Sequence, residues 1–156
     1  MKNKFLVAFI ICLLSASSMY AYTGPGDNAA YNSVIRDFIE SHMTANYKKL
    51  NKVLDENSTV KIPRGAEVLV QTKESLVGQM KKDAGLVQNC TSNYEVLAKS
   101  DALVIARVDF SYDTNIQHNY LILEKDKNLE WKITQVCKIF DDVAIPQNKE
   151  LATAKN

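Results

Sequence analysis

Four strand-like runs follow one another through the second half of this chain: Cys90–Ala98, Ala102–Tyr112, Ile116–Glu124 and Leu129–Phe140. Only Lys99-Ser100-Asp101, Asp113-Thr114-Asn115 and Lys125-Asp126-Lys127-Asn128 separate them. A parallel crossover needs a dozen residues or more, so links this short predict antiparallel neighbours and a four-strand meander.

Upstream the period changes. Asp27 or Asn28 can cap a helix from Ala29, along which Val34, Ile35, Phe38, Ile39, His42 and Met43 form one stripe. Asn46 interrupts the chain before a shorter amphipathic stretch with Tyr47, Leu50, Val53 and Leu54 on its inner side. Thr59–Ile62 and Glu67–Gln71 read as strands around a Pro63-Arg64-Gly65 turn, and Thr72 caps a third helix that Gly85 ends. Helices segregated from an antiparallel sheet make the class α+β.

The N-terminus has a separate logic. Lys2 and Lys4 precede an apolar run from Phe5 to Leu14 and then Ser15, Ala16, Ser17 and Ser18, the layout of a secretory signal too short to span a bilayer. Cleavage is expected after Ala21 or near Ser18. The predicted organisation is a signal peptide over 1–21, one domain over 27–141 and a flexible tail over 142–156, in a periplasmic or secreted protein free of the membrane once the signal is removed. Losing residues 1–21 removes two lysines and no acid, leaving 17 basic against 18 acidic side chains. A nearly neutral chain without a basic stripe excludes nucleic acid as the main partner.

Alternation along the strands, with the turns taken at those lengths, opposes Phe110 to His118, Val108 to Tyr120, His118 to Gln135 and Ile122 to Trp131. One face then gathers Cys90, Tyr94, Phe110, Tyr112, His118, Tyr120, Trp131, Gln135 and Cys137, and this aromatic-rich face is assigned to the helices. The other carries Leu103, Ile105, Leu121, Leu123, Val136 and Phe140 among Arg107, Asp109, Asn119, Lys132, Thr134 and Lys138. An apolar wall with a few converging polar groups is the makeup of a small-molecule site. The expected ligand-binding set is Phe38, His42, Tyr94, Phe110, Tyr112, His118, Tyr120, Trp131 and Gln135. His118 is the acid–base candidate if the protein is an enzyme, with Gln135 or Tyr120 orienting a carbonyl. The alternative is that His118 and Gln135 bond each other, or a buried water, in a packed core. Neither histidine has close partners at ligand spacing, so no metal or cofactor is expected. Cys90 and Cys137 fall on the first and fourth meander strands, too far apart to bridge, and free thiols are expected.

The order of elements, together with Tyr47–Val60 (YKKLNKVLDENSTV), Ser100-Asp101-Ala102-Leu103-Val104 and Glu130-Trp131-Lys132-Ile133, resembles the nuclear transport factor 2-like superfamily over Asp27 to Phe140. It also looks like exported Bacteroidetes-type members of that superfamily, some labelled lumazine-binding-like. The resemblance implies a cone of three N-terminal helices packed in a strongly bent antiparallel sheet of about six strands. It implies homodimerisation through the outer sheet face, which would cover the second apolar cluster. The superfamily holds isomerases, dehydratases, polyketide cyclases and non-enzymatic binding modules, so the fold does not choose among them. Its enzymes place a carboxylate inside the cone, often beside His or Tyr. Here Asp109 and Glu95 point away, Asp113 sits in a turn and Asp37 flanks the apolar stripe. The reading is therefore a module binding a small apolar or aromatic ligand without catalysis. An isomerase-, dehydratase- or cyclase-type enzyme using His118, or an interaction domain with a filled cone, are the alternatives.

Overall fold

The computed structural model describes residues 25–143. The expected signal peptide and nearly all of the expected tail lie outside them. Helix α1 spans Pro25–Met43, α2 Tyr47–Val53 and α3 Lys73–Lys82; the strands are β1 Leu54–Arg64, β2 Glu67–Thr72, β3 Thr91–Lys99, β4 Leu103–Ser111, β5 Asn115–Lys125 and β6 Trp131–Asp142. They form one six-stranded sheet in the order β2-β1-β6-β5-β4-β3. The meander and the β1–β2 hairpin are antiparallel as expected. β1, however, runs parallel to β6, so the sheet is mixed; α3 lies between β2 and β3, where a third helix was expected after the hairpin, so only two of the three helices precede the sheet. Local periodicity cannot see which strand closes against which. The parallel pair joins strands from opposite ends of the domain.

Helix α1 buries Tyr31, Ile35 and Phe38, one stripe at helical spacing, against Val104, Val108 and Phe110 of β4 and Leu121 of β5. Each such side chain removed from water contributes on the order of 1.5–3 kcal/mol. The helix ends in a left-handed cap. Ala45 sits at φ +48°, and the Asn46 N–H reaches back to the Ser41 carbonyl at 2.9 Å. Asn46 then caps α2 by accepting from the Lys49 N–H at 3.1 Å, and Thr72 caps α3 in the same way.

Three details of backbone pairing fix the faces, and each departs from the even alternation expected above. The β4–β5 turn is two residues, closed by the Tyr112 N–H to the Asn115 carbonyl at 2.9 Å, so Phe110 opposes Gln117 and Asp109 opposes His118. A slip of one residue turns every β5 side chain to the other face. The β5–β6 loop is lengthened by Asp126, whose carboxylate accepts from the Asn128 and Glu130 N–H groups. Finally, β6 bulges at Thr134, between the Leu123–Ile133 and Ile122–Gln135 pairs. The first two changes cancel for Trp131 and Ile133, which stay against the helices. The bulge then turns Gln135 and Cys137 outward. Leu121, Leu123 and Val136, expected on the outer face, are fully buried in the core.

Candidate functional site

With the register settled, the helix-covered face at the C-terminal end of α1 carries Phe110 from β4 and Tyr112 just past its end, Gln117 and Asn119 from β5, and Lys138 and Phe140 from β6. His42 enters from the last turn of α1. Its ring stacks on Phe110 at 3.9 Å between centroids, and its Nε2 and the Tyr112 hydroxyl share a hydrogen bond at 2.7 Å. Burial, with the charge of Lys138, pushes the imidazole down to about 4, so His42 is neutral near pH 7. Burial and a hydrogen bond with Cys90 push the Tyr112 phenol up to about 12, which keeps it protonated near pH 7. The Cys90 thiol is also 3.4 Å from Met43 Sδ.

The neighbouring pair is self-sufficient. Gln117 Nε2 donates to Asn119 Oδ1 at 2.8 Å, while Asn119 Nδ2 donates to the Val108 and Gln117 carbonyls at 3.2 and 3.3 Å. Lys138 opposes Asn119 from β6. Burial lowers its pKa, and among the described residues no hydrogen-bond acceptor or carboxylate stands at its ammonium. Phe140 opposes Gln117 at the rim and is 51% exposed. A pocket of about 150 Å³ opens where His42 and Ala45 meet Leu76, Met80 and Gln88.

The expected site residues divide. Phe38, His42, Phe110 and Tyr112 come together at this end, with Phe38 and Phe110 at 6.5 Å between centroids. Tyr94 is on the same face but further along α1, its hydroxyl 3.4 Å from Asn32 Oδ1. Trp131 packs edge-on against Tyr31 at 5.8 Å, roughly 16 Å along the helix from His42 at 1.5 Å per residue. His118, Tyr120 and Gln135 are corrected to the open face. There the His118 Nδ1 is 2.7 Å from Asp109 Oδ1, and its Nε2 is 3.2 Å from Asp141. Arg107 stands 3.2 Å from Asp109 and 3.5 Å from Glu95, so His118 belongs to a ladder of outer-face charges. Asp109 is on that face as expected, and Asp37 is paired with Lys49. Cys90 and Cys137 are both free.

Alternation alone misses Gln117, Asn119, Lys138 and Phe140. One signal was available: Leu121 and Leu123 are the stronger apolar pair on β5, and sending them inward carries Asn119 and Gln117 with them. Among the described residues no group of three or more His, Cys, Asp or Glu side chains is placed to hold a metal.

A second concavity lies at the other end. β1 gains three residues over β6 between Leu54 and Thr59, and this bulge walls a cleft of about 810 Å³ with the Asp126–Glu130 loop opposite. Lys73, only 4% exposed, pins the bulge by donating to the Leu54 carbonyl at 3.1 Å and Glu56 Oε1 at 2.8 Å. The cleft is the larger cavity, but its lysines and acids alternate in sign and its buried cation is already paired. The smaller pocket is lined by His42, Gln79, Asp83 and Gln88 together with Ala45, Leu76 and Met80.

No family model matches the sequence, and no curated protein matches it. Solved structures do. A nuclear transport factor 2-like protein from Methylobacillus flagellatus aligns with a TM-score of 0.65 at 12% identity, over 80% of this chain and 99% of its own. One from Silicibacter pomeroyi gives 0.64 at 9% identity, over 74% and 97%. A ketosteroid isomerase-like protein from Erwinia carotovora atroseptica gives 0.54 at 11% identity, over 75% and 96%. The chain has the nuclear transport factor 2-like fold.

Proposed function

We propose that this protein is a small-molecule-binding module of the nuclear transport factor 2-like kind, acting without chemistry, with its site at the His42 end of the helix-covered face. One observation carries the reading: His42, Tyr112, Gln117, Asn119 and Lys138 are turned inward where apolar residues would pack at lower cost. Half-exposed Phe140 offers an aromatic surface at the rim, which fits an apolar or aromatic ligand body. The non-catalytic part rests on state. The one histidine here is neutral near pH 7 and already bonded to Tyr112, and the carboxylates near it, Asp83 at the pocket and Asp142 on β6, are both exposed. Native mass spectrometry on the protein recovered from its own host tests this. Retained mass of a few hundred daltons is expected; uniformly clean apo protein, together with turnover of any added substrate, would count against it.

Export and self-association complete the proposal. Lys2, Lys4 and the Phe5–Leu14 run support a cleaved leader, and no helix of the described residues is long and apolar enough to cross a membrane. The open face supports a homodimer through a row of Ile105, Ile122, Tyr120 and Ile139 beside the charge ladder. N-terminal sequencing and light scattering at tens of micromolar test these two parts; an intact Met1 or a monomer would remove the respective part.

A further inference from the structure

The open face of the sheet holds a histidine between two carboxylates. His118 Nδ1 stands 2.7 Å from Asp109 Oδ1 on β4, and its Nε2 stands 3.2 Å from Asp141 Oδ2 on β6. A neutral imidazole has one N–H and one lone pair, so both contacts bond only when the ring is protonated. Resting on the outer-face homodimer proposed above, we propose that this dimer is proton-linked. Protonated His118 ties Asp109 to Asp141, and the face closes on a second copy of the chain more tightly in acid than in alkali. The charges lie in one line across the strands. From β3 to β6 they are Glu95, Arg107, Asp109, His118 and Asp141, with neighbours 3.5, 3.2, 2.7 and 3.2 Å apart. With His118 protonated the signs alternate from end to end. Without the proton one positive charge stands among three negative ones, and Asp141 faces a ring lone pair. A carboxylate left in that state is costly to cover with another molecule. In the next row stand Tyr120 on β5, Cys137 on β6 and Lys61 on β1. The helices lie across the sheet, so none of their charges faces His118.

Charge and area both point to a second copy as the occupant. An alternating row is complementary to itself. Reversed by a two-fold axis and displaced one place, Glu95 meets the second copy's His118 and Arg107 meets its Asp109, opposite signs throughout. Loss of the His118 proton removes part of that match. Beside the row the face is apolar. Ile105, Ile122, Tyr120 and Ile139 continue toward Val68 and Val70 of β2, which are 57% and 54% exposed. Val70 opposes Lys61, which pairs with Cys137, so these valines share the face. Six strands at a spacing of about 4.8 Å make it roughly 24 Å wide, and nine residues of strand make it roughly 30 Å long. The product, about 700 Å², is near the roughly 800 Å² that each partner contributes to a standard interface.

Sedimentation velocity of the purified protein at about pH 5.5 and about pH 8, either side of the histidine range, tests the linkage. The dimer dissociation constant is expected to be about tenfold lower, or more, at the acid pH. His118→Gln, uncharged at both, should remove that difference and hold the weaker, alkaline value throughout. Asp141→Asn should tighten the dimer at the alkaline pH, because no bare carboxylate then faces the ring. Asp141 is 68% exposed, so this variant leaves the core untouched. Ile139→Lys should give monomer at both pH values. Wild-type monomer at both would remove the outer-face dimer and this inference with it. A dimer of equal strength at both, or a preference that survives His118→Gln, would overturn the proton linkage and leave the dimer standing. A dimer untouched by Ile139→Lys would put the contact on another surface and overturn both.

Discussion

Two lysines at opposite ends of this fold are treated in opposite ways. Lys73, at the first turn of α3, is almost fully buried and spends its donors on the Leu54 carbonyl and Glu56, holding a three-residue bulge of β1 against the domain. Lys138, in mid-strand on β6, faces the helices with no acceptor among the described residues. The first cation is part of the scaffold, because removing it orphans a buried carbonyl. The second has no such role: burial lowers its pKa, and no hydrogen-bond or ion-pair partner among the described residues offsets that. Burial alone therefore does not identify a structural charge; the partners do.

The largest expected effect is on acid stability at the Lys138 end. The His42 pKa in the folded protein is depressed to about 4 from its ordinary 6.5, so the unfolded chain takes up a proton that the folded one refuses. The contribution is fully present above pH 6.5 and is lost as pH falls toward 4, a drop of up to about 3 kcal/mol at 1.36 kcal/mol per unit. Urea titrations at pH 7 and pH 4 read it. Lys138→Met should shrink the drop, because the Lys138 charge is one of the two causes of the depression. A His42→Asn variant that keeps the whole drop would show that some other group is responsible.

Next comes the scaffold lysine. Lys73→Met is expected to cost about 1–3 kcal/mol by leaving the Leu54 carbonyl unsatisfied, and to loosen hydrogen-exchange protection over residues 54–59. Lys138→Met should move the other way. It should also abolish a rise in stability at alkaline pH. The folded-state pKa of Lys138 lies below the ordinary lysine value, so between those two values the folded protein has shed a proton that the unfolded chain retains. Equal signs for the two methionine variants would break the comparison.

The smallest effect tests strain near the Lys73 cleft. Leu129 sits at φ +62° in the β5–β6 loop and is 76% exposed, so Leu129→Gly gives up little burial. A gain of about 0.5–1 kcal/mol is expected from relieving a left-handed non-glycine residue, measurable as a shift in the denaturation midpoint. A loss would mean that the exposed leucine makes contacts worth more than the strain.

Much of this was determined by local sequence. The helical stripe through Ile35 and Phe38, the break at Asn46, the cap at Thr72 and the antiparallel meander all follow from periodicity and short-range hydrogen bonding, which act over a few residues. That His42, Phe38, Phe110 and Tyr112 share the helix-covered face was legible because none of them depends on the orientation of β5. Tertiary structure alone decided the rest. β5 carries His118, Tyr120 and Ile122 on one side and Gln117, Asn119, Leu121 and Leu123 on the other, and either set can face a core. A turn of two residues at Asp113-Thr114 in place of three, and one bulge at Thr134, exchanged an expected histidine for a glutamine, an asparagine and a lysine. The parallel closure of β1 on β6 joins residues far apart in the chain, and no local pattern encodes it. A strand's period of two makes its faces legible one strand at a time, while a single-residue shift between strands reassigns an entire face.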